Sequence, residues 1–515
     1  MRRSDIIVVG SGVAGLSFAI KIAKQRPDLK IFILTKAGLK DSNSNYAQGG
    51  IASVIDQIKD SFDSHIEDTL KSGGGLCDPV IVDLVVRSGP ERIYELAKYG
   101  VEFTRDESNK LDLALEGGHS IPRVVHSFDN TGEIVVNTLI STAKAFSNIT
   151  FFDHQFCMDL IRTEGGEIGG ITTLNTKKNK IDIFQSKIVV LATGGIGQIY
   201  KHTTNPAIAT GDALSMGLKA GAMISNLNYI QFHPTALIEK EKSQLFLISE
   251  AVRGFGAHIV NKKGKRFLFK YDEKGELATR DVVSKAIFHE LKSSWADNVY
   301  LDCRHLDKKV FKEKFPTIYN YLNSIGLDIG KNLIPVAPAA HYQCGGLKVN
   351  ERGQTNIDGL YAIGECAETG LHGKNRLASN SLLEALVFAH EAAEFVLCTI
   401  DEYNYEKVII PPLHCINTLT DNISANITYM IKETMSNFVT IASDLNDLES
   451  AQVMISEYEE LFKIHKSDVG ISQNRLIAEN TLFVAKAIIE AKLNELRAEK
   501  KLHKNRTKVS ELRMV

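Results

Sequence analysis

The first 35 residues alternate apolar runs with a glycine-rich turn. Residues 5–9 form a short β-branched run, a pattern typical of a strand buried on both faces. The turn Gly10–Gly15 follows directly, and residues 16–24 then repeat apolar side chains at helical spacing. A second apolar run covers residues 30–34. This order predicts a β-α-β unit at the start of the chain.

The turn has the spacing Gly-x-Gly-x-x-Gly, which indicates dinucleotide binding when it joins a strand to a helix. The first glycine permits the tight turn, the second admits a pyrophosphate, and the third allows the helix to pack closely on the strand. The phosphates then contact unpaired N–H groups at the helix N-terminus. A glycine turn without a ligand is the alternative, which the flanking strand and helix disfavour. The predicted contacts are Gly10, Ser11, Gly12, Val13, Ala14 and Gly15.

The second strand lacks the acidic residue that usually binds the ribose at its end. The chain reads Leu34-Thr35-Lys36 there, so we expect either a ribose contact from elsewhere or a cofactor contact by Lys36. Two later apolar runs, at residues 187–191 and 359–363, also lead into glycine turns. Each alone is compatible with an ordinary strand, but three such elements together suit a long dinucleotide and favour FAD. Their spacing also implies that an insertion interrupts the cofactor domain.

Composition and charge narrow the class of protein. The 515 residues argue for two to four domains, at about 100–200 residues per domain. Sixty Lys and Arg against 62 Asp and Glu leave a net charge of −2, which argues against a nucleic-acid partner. The seven Cys form no Cys-x-x-Cys pair, so we expect reduced thiols and no metal site. No apolar run approaches the ~20 residues of a membrane span, and we expect a cytoplasmic protein without a membrane partner.

Seven further motifs follow one another along the chain. They lie at residues 43–50 (Asn-Ser-Asn-Tyr-Ala-Gln-Gly-Gly), 116–120, 231–235, 250–254, 279–283, 341–346 and 373–382. With these motifs in this order, the chain resembles the flavoprotein family of succinate dehydrogenase and fumarate reductase over about residues 5–400. Within that family, it is most similar to the branch that oxidises L-aspartate.

The resemblance implies further contacts with FAD. Asn43 stands where the respiratory members carry the His that is tethered to the flavin, so we expect non-covalent FAD. The helical spacing of residues 382–397 predicts a helix capped by Asn380 or Ser381, with its N-terminus stabilising the reduced flavin. Glu365 is expected to bind ribose hydroxyls. The implied cofactor contacts are Asn43, Ser44, Asn45, Tyr46, Ala47, Gln48, Gly49, Gly50, Asp212, Glu365, Ser381 and Leu382.

The resemblance also implies one substrate pocket. Arginine is suited to carboxylates because its guanidinium fork binds both oxygens. The resemblance implies that Arg280 acts as the acid or base, and the alternative is that it binds a substrate carboxylate. Its motif also reads as a helix start capped by Thr279. Glu116 favours an amino-acid substrate because a carboxylate pairs with an ammonium and repels a plain dicarboxylate. The candidate catalytic residues are Glu116, His233, Arg280, His341 and Arg376, with Thr235 and Ser249 as substrate contacts.

These inferences define an expected architecture of the α/β class. We predict a Rossmann-like FAD-binding domain, an inserted α+β capping domain and a C-terminal helical bundle of about three helices. A linker is expected at residues 401–414. The last segment, residues 492–515, carries a net charge of +5 and is either a solvated helix end or a partner contact. The predicted boundaries are 1–226 and 344–400 for the FAD domain, 227–343 for the cap and 415–515 for the bundle.

The activity implied by the resemblance is the oxidation of L-aspartate to iminoaspartate. Electrons then pass to dioxygen, giving hydrogen peroxide, or to fumarate, giving succinate. Iminoaspartate is the precursor that quinolinate synthase consumes in NAD biosynthesis, which makes that enzyme a candidate partner. One alternative is a soluble fumarate reductase or succinate dehydrogenase flavoprotein. A second is a non-catalytic FAD-binding scaffold, which would show a broken substrate pocket.

Overall fold

The computed structural model describes residues 1–239, 242, 244–412, 416, 421–468 and 470–512, without the side chains of 466–468 and 502–512. It is a mixed α/β protein, as predicted. Its helices are Val13–Gln25, Phe62–Ser72, Pro79–Tyr99, Thr131–Lys144, Asp212–Lys219, Glu250–Gly254, Arg280–Ser294, Lys308–Lys314, Pro316–Ser324, Asn380–Thr399, Asn422–Phe438, Leu445–Asp468 and Gln473–Leu512.

A five-stranded parallel sheet lies at the centre of the cofactor domain. The three apolar runs that precede glycine turns are adjacent strands of this sheet. Gly10 follows the first strand with φ +118°, and a Cβ there would lie 2.1 Å from the carbonyl oxygen of Ala192. Only glycine fits this close approach of two strand ends. The sheet order is Leu360–Ala362, Ile188–Leu191, Ile6–Val9, Ile31–Leu34 and Ile149–Phe152.

A second, mostly antiparallel sheet packs against the parallel one through Phe32, Phe152 and Phe184, whose rings meet edge to face. It includes Val408–Ile409, which pairs with Thr163 and Arg162. The predicted linker at residues 401–414 therefore contains an edge strand. The order of its strands is Arg2–Arg3, Lys180–Gln185, Ile168–Asn175, Gln155–Thr163 and Val408–Ile409.

Two small three-stranded sheets complete the set. One has the strand order Ile224–Ser225, Gly346–Lys348 and Ala367–Glu368. The other has the strand order Ile51–Ala52, Val124–Val125 and Leu113–Ala114.

The inserted segment has a core of its own. Phe311, Ile287 and Leu301 are fully buried within it. Its four-stranded antiparallel sheet supports the prediction of a capping domain, whose boundaries at residues 227 and 343 stay a proposal. The strand order is Ile230–Leu237, Ile334–Gln343, Val299–Asp302 and His258–Val260.

The last three described helices pack on one another and on the parallel sheet, as predicted for the C-terminal bundle. Ile431 and Ile488 share a buried cluster with Leu191 of the central strand. Asn480 also donates a hydrogen bond to Asp212 Oδ1 (2.9 Å) at the edge of the cofactor cavity. The predicted first residue of the bundle, Cys415, lies outside the described residues.

The part of the chain that the structure describes lacks membrane spans, metal-ligand clusters and disulfides. None of its helices is long and apolar enough to cross a membrane. Among the same residues, no group of three or more His, Cys, Asp or Glu is placed to hold a metal ion. The described cysteines are all free thiols, as the scattered spacing indicates.

Candidate active site

One cavity of about 430 Å³ connects the glycine turns of the parallel sheet to the inserted segment. Predicted cofactor residues line one part of the cavity, and predicted substrate residues line the other. The predicted residues in its wall are Gly10, Ser11, Gly12, Val13, Ala14, Lys36, Asn43, Ser44, Tyr46, Ala47, Gln48, Gly49, Gly50, Asp212, Glu365, Ser381 and Leu382, with Glu116, His233, Ser249, Arg280, His341 and Arg376.

Three predicted residues lie behind the cavity wall. Gly15 packs the first helix against the turn, as its place in the motif implies. The backbone N–H of Asn45 donates to Ser42 Oγ (3.2 Å) within a tight turn. Thr235 Oγ1 donates to the backbone oxygen of Ile248 (2.8 Å). These residues therefore support their neighbours instead of facing the cavity.

A β-bulge brings two consecutive residues of one strand to the cavity. Gln231 pairs with Tyr342 while Phe232 pairs with Ala340, so His341 is an extra residue in the ladder. Side chains normally alternate between the two faces of a strand, and a bulge disrupts that alternation. His341 and Tyr342 consequently both line the cavity.

The two predicted histidines lie in the cavity wall in edge-to-face contact, with ring centroids 5.0 Å apart. Burial, together with nearby Arg280, lowers the pKa of both His233 and His341 well below the usual value, so both are neutral near pH 7. The backbone N–H of Thr235 donates to His233 Nδ1 (3.3 Å), which places the ring proton on Nε2. His233 Nε2 has no partner among the described residues and is available to a ligand.

Arg280 begins its helix and pairs with Glu250. Its Nε donates to Glu250 Oε2 at 2.6 Å, and Arg253 Nη2 lies 2.8 Å from the other carboxylate oxygen. Burial opposes ionisation of Glu250, but Arg253 and Arg280 together lower its pKa below the usual value. Thr279 stands at the cap position as predicted, yet its side chain makes no capping hydrogen bond.

Arg376 is the second buried arginine of the pocket. Its Nη1 donates to Ser381 Oγ (3.1 Å), while Nε has no partner among the described residues. Burial and the proximity of Arg280 lower the pKa of Arg376 to about 10, so it is charged at neutral pH. Gln231 links the two arginines, accepting from Arg280 Nη1 at 3.1 Å and donating to the Arg376 backbone oxygen at 2.7 Å.

Glu116 faces the same pocket with an exposed fraction of 3%. Ser379 Oγ donates to Glu116 Oε2 (2.6 Å), and a Cβ on Gly49 would lie 2.8 Å from Oε1. Burial raises the pKa of Glu116, with Arg280 opposing that shift and Glu250 adding to it. Ser379 also precedes the helix Asn380–Thr399 with φ +60°, so the predicted capping residue is wrong by one or two positions.

A buried arginine fixes the loop that follows Glu116. Arg123 donates to both oxygens of Asp60 at 2.8 Å and to His119 Nδ1 at 3.0 Å. His119 Nε2 therefore carries the ring proton and donates to the backbone oxygen of Ala378 (2.9 Å). This network connects the loop of Glu116 to the turn that carries Arg376 and Ser379.

Two polar contacts shape the cofactor part of the cavity. Lys36 Nζ lies 3.0 Å from Asp212 Oδ2 in a buried ion pair. Asn43 Nδ2 donates to Glu365 Oε2 (2.7 Å), and burial raises the pKa of Glu365 to about 7. A neighbouring acceptor, Gln48 Oε1, has no partner among the described residues.

Comparison with known proteins decides the family. The FAD binding domain family matches residues 5–382. The chain is 38% identical to the L-aspartate oxidase of Acinetobacter baylyi over 501 residues, covering 94% of this chain and 90% of that protein. It is 40% identical to the chloroplastic L-aspartate oxidase of Arabidopsis thaliana over 517 residues, covering 95% and 79%. The chain belongs to the L-aspartate oxidase family.

The solved structures agree with this placement in the wider flavoprotein family. A mutated quinol fumarate reductase from E. coli superposes with a TM-score of 0.85 at 30% identity, over 95% of this chain and 89% of that chain. Mycobacterium smegmatis Sdh1 in complex with UQ1 gives 0.81 at 28% identity, over 96% and 87%. Both similarities extend beyond the FAD domain into the C-terminal helices.

FAD is the cofactor of this family member, and the cavity fits it. The N-cap residue of the helix Val13–Gln25 is Gly12, which has no side chain to cap it, and the Val13 N–H donates to Ser44 Oγ (3.3 Å). This helix N-terminus lines the cavity and is suited to a pyrophosphate. Glu365 and Gln48 present acceptors farther along the wall. A helix N-terminus, a buried carboxylate and an unpaired amide oxygen in one cavity match the charged and polar groups of a dinucleotide.

Among the residues of the site that were not predicted, four contact the side chain of Glu116, Arg280 or Arg376. Each lies in a motif that marks the family: Gln231, Glu250, Tyr342 and Ser379. Unlike the other three, Gln231 does not line the cavity, and it is connected to the site through its hydrogen bonds to Arg280 and Arg376. The family motifs therefore contain these four residues, but the side chains that they contact come from distant parts of the chain.

Proposed function

We propose that this protein oxidises L-aspartate to iminoaspartate with FAD and passes the electrons to dioxygen or to fumarate. The observation that carries the proposal is a pocket with two arginines, Arg280 and Arg376, and a buried carboxylate, Glu116, that has no ion-pair partner within 4 Å among the described residues. L-Aspartate offers the complementary set of two carboxylates and one ammonium. FAD, when bound, supplies the acceptor for the two electrons and the hydrogen that leave the substrate Cα.

The carboxylates of the substrate are recognised by donors that the protein leaves unpaired. Arg376 offers Nε, and His233 offers its Nε2 proton. Neutral histidines suit this task because they donate a hydrogen bond without adding a further charge to the two arginines. His341 is held at Nδ1 by Thr204 Oγ1 (2.7 Å), which orients its ring toward the cavity. Glu116, in its ionised form, pairs with the ammonium.

Proton exchange at the substrate runs through Arg280. A guanidinium releases a proton only where its surroundings can return one. Glu250 lies between Arg280 and Arg253, so the three side chains form a continuous buried path. Glu250 also holds the Arg280 side chain in place, which leaves the role of carboxylate clamp as the alternative for Arg280.

Fumarate reduction uses the same pocket, because fumarate is also a four-carbon dicarboxylate that the two arginines can bind. The structural similarity to quinol fumarate reductase favours this second activity. Asn43 has no ring nitrogen, so the flavin is held without the covalent tether of the respiratory enzymes. Hydrogen peroxide is the product with dioxygen, and succinate is the product with fumarate.

Anaerobic mixing with L-aspartate tests the proposal directly. The expected result is loss of the visible absorbance of the bound flavin, followed by its recovery when fumarate or dioxygen is added. Reduction of the flavin by succinate but not by L-aspartate would instead establish a succinate dehydrogenase activity. No reduction by either compound would leave only the FAD-binding scaffold.

The product suggests a place for the reaction. Iminoaspartate hydrolyses in water, so an enzyme that consumes it promptly is needed, and we propose quinolinate synthase and the pathway to NAD. A cytoplasmic location is part of the same proposal and is supported by the scattered free cysteines. Measurement of quinolinate formation in a coupled assay with both enzymes tests the transfer.

A further inference from the structure

The two arginines of the pocket are neutralised in different ways. Arg280 forms a direct ion pair with Glu250. Arg376 forms no ion pair with any carboxylate of the described residues, although it is 4% exposed and carries its charge at neutral pH. A buried charge without compensation is costly, so another group must stabilise it.

The face of the Tyr342 ring supplies part of that compensation. The Arg376 guanidinium carbon lies 4.3 Å from the ring centroid, a cation–π geometry. A contact of this kind uses no hydrogen-bond donor of the guanidinium, and Arg376 Nε has no partner among the described residues. Among the described residues, only one side chain accepts a hydrogen bond from this guanidinium: Ser381 Oγ accepts from Nη1.

A buried carboxylate lies behind the ring. Tyr342 OH donates to Glu384 Oε2 at 2.9 Å, and His372 Nε2 lies 3.0 Å from the same oxygen. Thr369 Oγ1 donates to Glu384 Oε1 at 2.6 Å. Burial opposes ionisation of Glu384, but His372 and these hydrogen bonds lower its pKa below the usual value, so it is an anion. Glu384 does not line the cavity.

We propose that Tyr342 and Glu384 are positioning residues that act on the substrate through Arg376. Glu384 acts as an indirect counter-ion, because its charge reaches Arg376 through the phenol that it polarises. A carboxylate in direct contact would occupy donors of Arg376, as Glu250 occupies Nε of Arg280. The indirect arrangement stabilises the cation and leaves its donors to a substrate carboxylate.

This inference rests on the proposed function, since it requires that Arg376 binds a dicarboxylate. The His341 bulge is what makes it possible, because without the extra residue Tyr342 would alternate away from the cavity wall. Tyr342 also keeps its proton, since burial and Glu384 raise the pKa of its hydroxyl well above the usual value. The phenol therefore remains a donor to Glu384 across the working pH range.

Succinate binding to the FAD-loaded protein tests the inference, followed by the change in flavin absorbance. Tyr342→Phe keeps the ring and removes the bond to Glu384, whereas Glu384→Gln keeps an acceptor and removes the charge. Tyr342→Leu removes the cation–π contact altogether. Tyr200→Phe is the matched control, because Tyr200 is also buried and its hydroxyl donates to the backbone oxygen of Val439 (3.0 Å).

We expect weaker succinate binding in proportion to what each variant removes. The dissociation constant should rise about 2- to 5-fold in Tyr342→Phe and Glu384→Gln, and about 5- to 30-fold in Tyr342→Leu. The KM for L-aspartate should rise in parallel while kcat stays within about twofold, because the contact affects binding in the ground state. The Tyr200→Phe protein should match the wild type.

Other results would overturn the inference. Succinate affinity equal to that of the wild type in both Tyr342→Phe and Tyr342→Leu excludes a role through Arg376. A loss that Tyr200→Phe shares, or a fall in thermal stability and FAD content without a change in succinate affinity, indicates a structural role only. If L-aspartate does not reduce the flavin of the wild-type protein, the proposed function fails, and the two failures are thereby distinguishable.

Discussion

Replacement of Glu116 by Gln separates the two substrates of the pocket. The change keeps the volume of the side chain and an oxygen that can accept the hydrogen bond from Ser379 Oγ. It removes only the charge, which in our proposal pairs with the ammonium of L-aspartate. Fumarate has no ammonium, so its reduction should not depend on that charge.

The size of the effect follows from burial. Glu116 is 3% exposed, so solvent does not replace the lost interaction. A hydrogen bond between charged groups contributes about 1.5–3 kcal/mol, which corresponds to a fall of about 10- to 150-fold in kcat/KM for L-aspartate. Removal of the negative charge beside Arg280 also strengthens the field for a dicarboxylate. We therefore expect fumarate reduction to stay within about threefold of the wild type or to rise.

Two assays on the same FAD-loaded preparation measure this selectivity. Anaerobic stopped-flow mixing with L-aspartate follows reduction of the flavin, and a reduced viologen dye drives fumarate reduction in a separate cuvette. Glu116→Asp serves as the control that keeps the charge but shortens the reach. Equal losses of both activities in Glu116→Gln, or aspartate oxidation within threefold of the wild type, would refute the pairing of Glu116 with the ammonium.

Three further predictions concern pH, cofactor and stability. Because the pKa of Glu116 is raised and the ionised form binds the ammonium, kcat/KM for L-aspartate should fall as the pH drops through that pKa. In a pH profile of the Glu116→Gln protein, this decrease on the acid side should be absent. Asn43→Ala removes the donor to Glu365 and should weaken FAD retention about 3- to 10-fold in equilibrium dialysis, whereas Asn43→Ser should lose less. Arg123→Met leaves the buried Asp60 unpaired and should lower the free energy of unfolding by about 3–5 kcal/mol in denaturant titrations; an unchanged midpoint would contradict this.

Near the cofactor, local sequence patterns correctly predicted the secondary structure. The run before Gly10 and the spacing after it gave a strand and a helix whose ends are within three residues of the observed ones. These elements are determined by burial and by backbone sterics over a few residues. The three glycine-ended strands were expected to serve one extended ligand, but their pairing as neighbours was not predicted.

The pocket was harder to predict because its contacts join distant residues. The partner of Arg280 is Glu250, thirty positions earlier on another short helix. Tyr342 enters the wall through a bulge, and no periodic pattern reports an extra residue in a ladder. Thr235 was predicted from its motif to contact the substrate, but its hydroxyl donates a hydrogen bond to the backbone oxygen of Ile248. Register and side-chain direction at such points depend on tertiary packing, which a single sequence does not specify.

The last described helix has a consequence for how the protein is made. Asn480, on that helix, hydrogen-bonds Asp212 in the wall of the cofactor cavity, and the adjoining sheet takes strands from both ends of the cofactor domain. The wall is therefore incomplete until nearly the whole chain has left the ribosome, and contacts of such long sequence separation form slowly. FAD uptake should be a post-translational event, and translation that stops before residue 473 should release a product unable to hold the flavin.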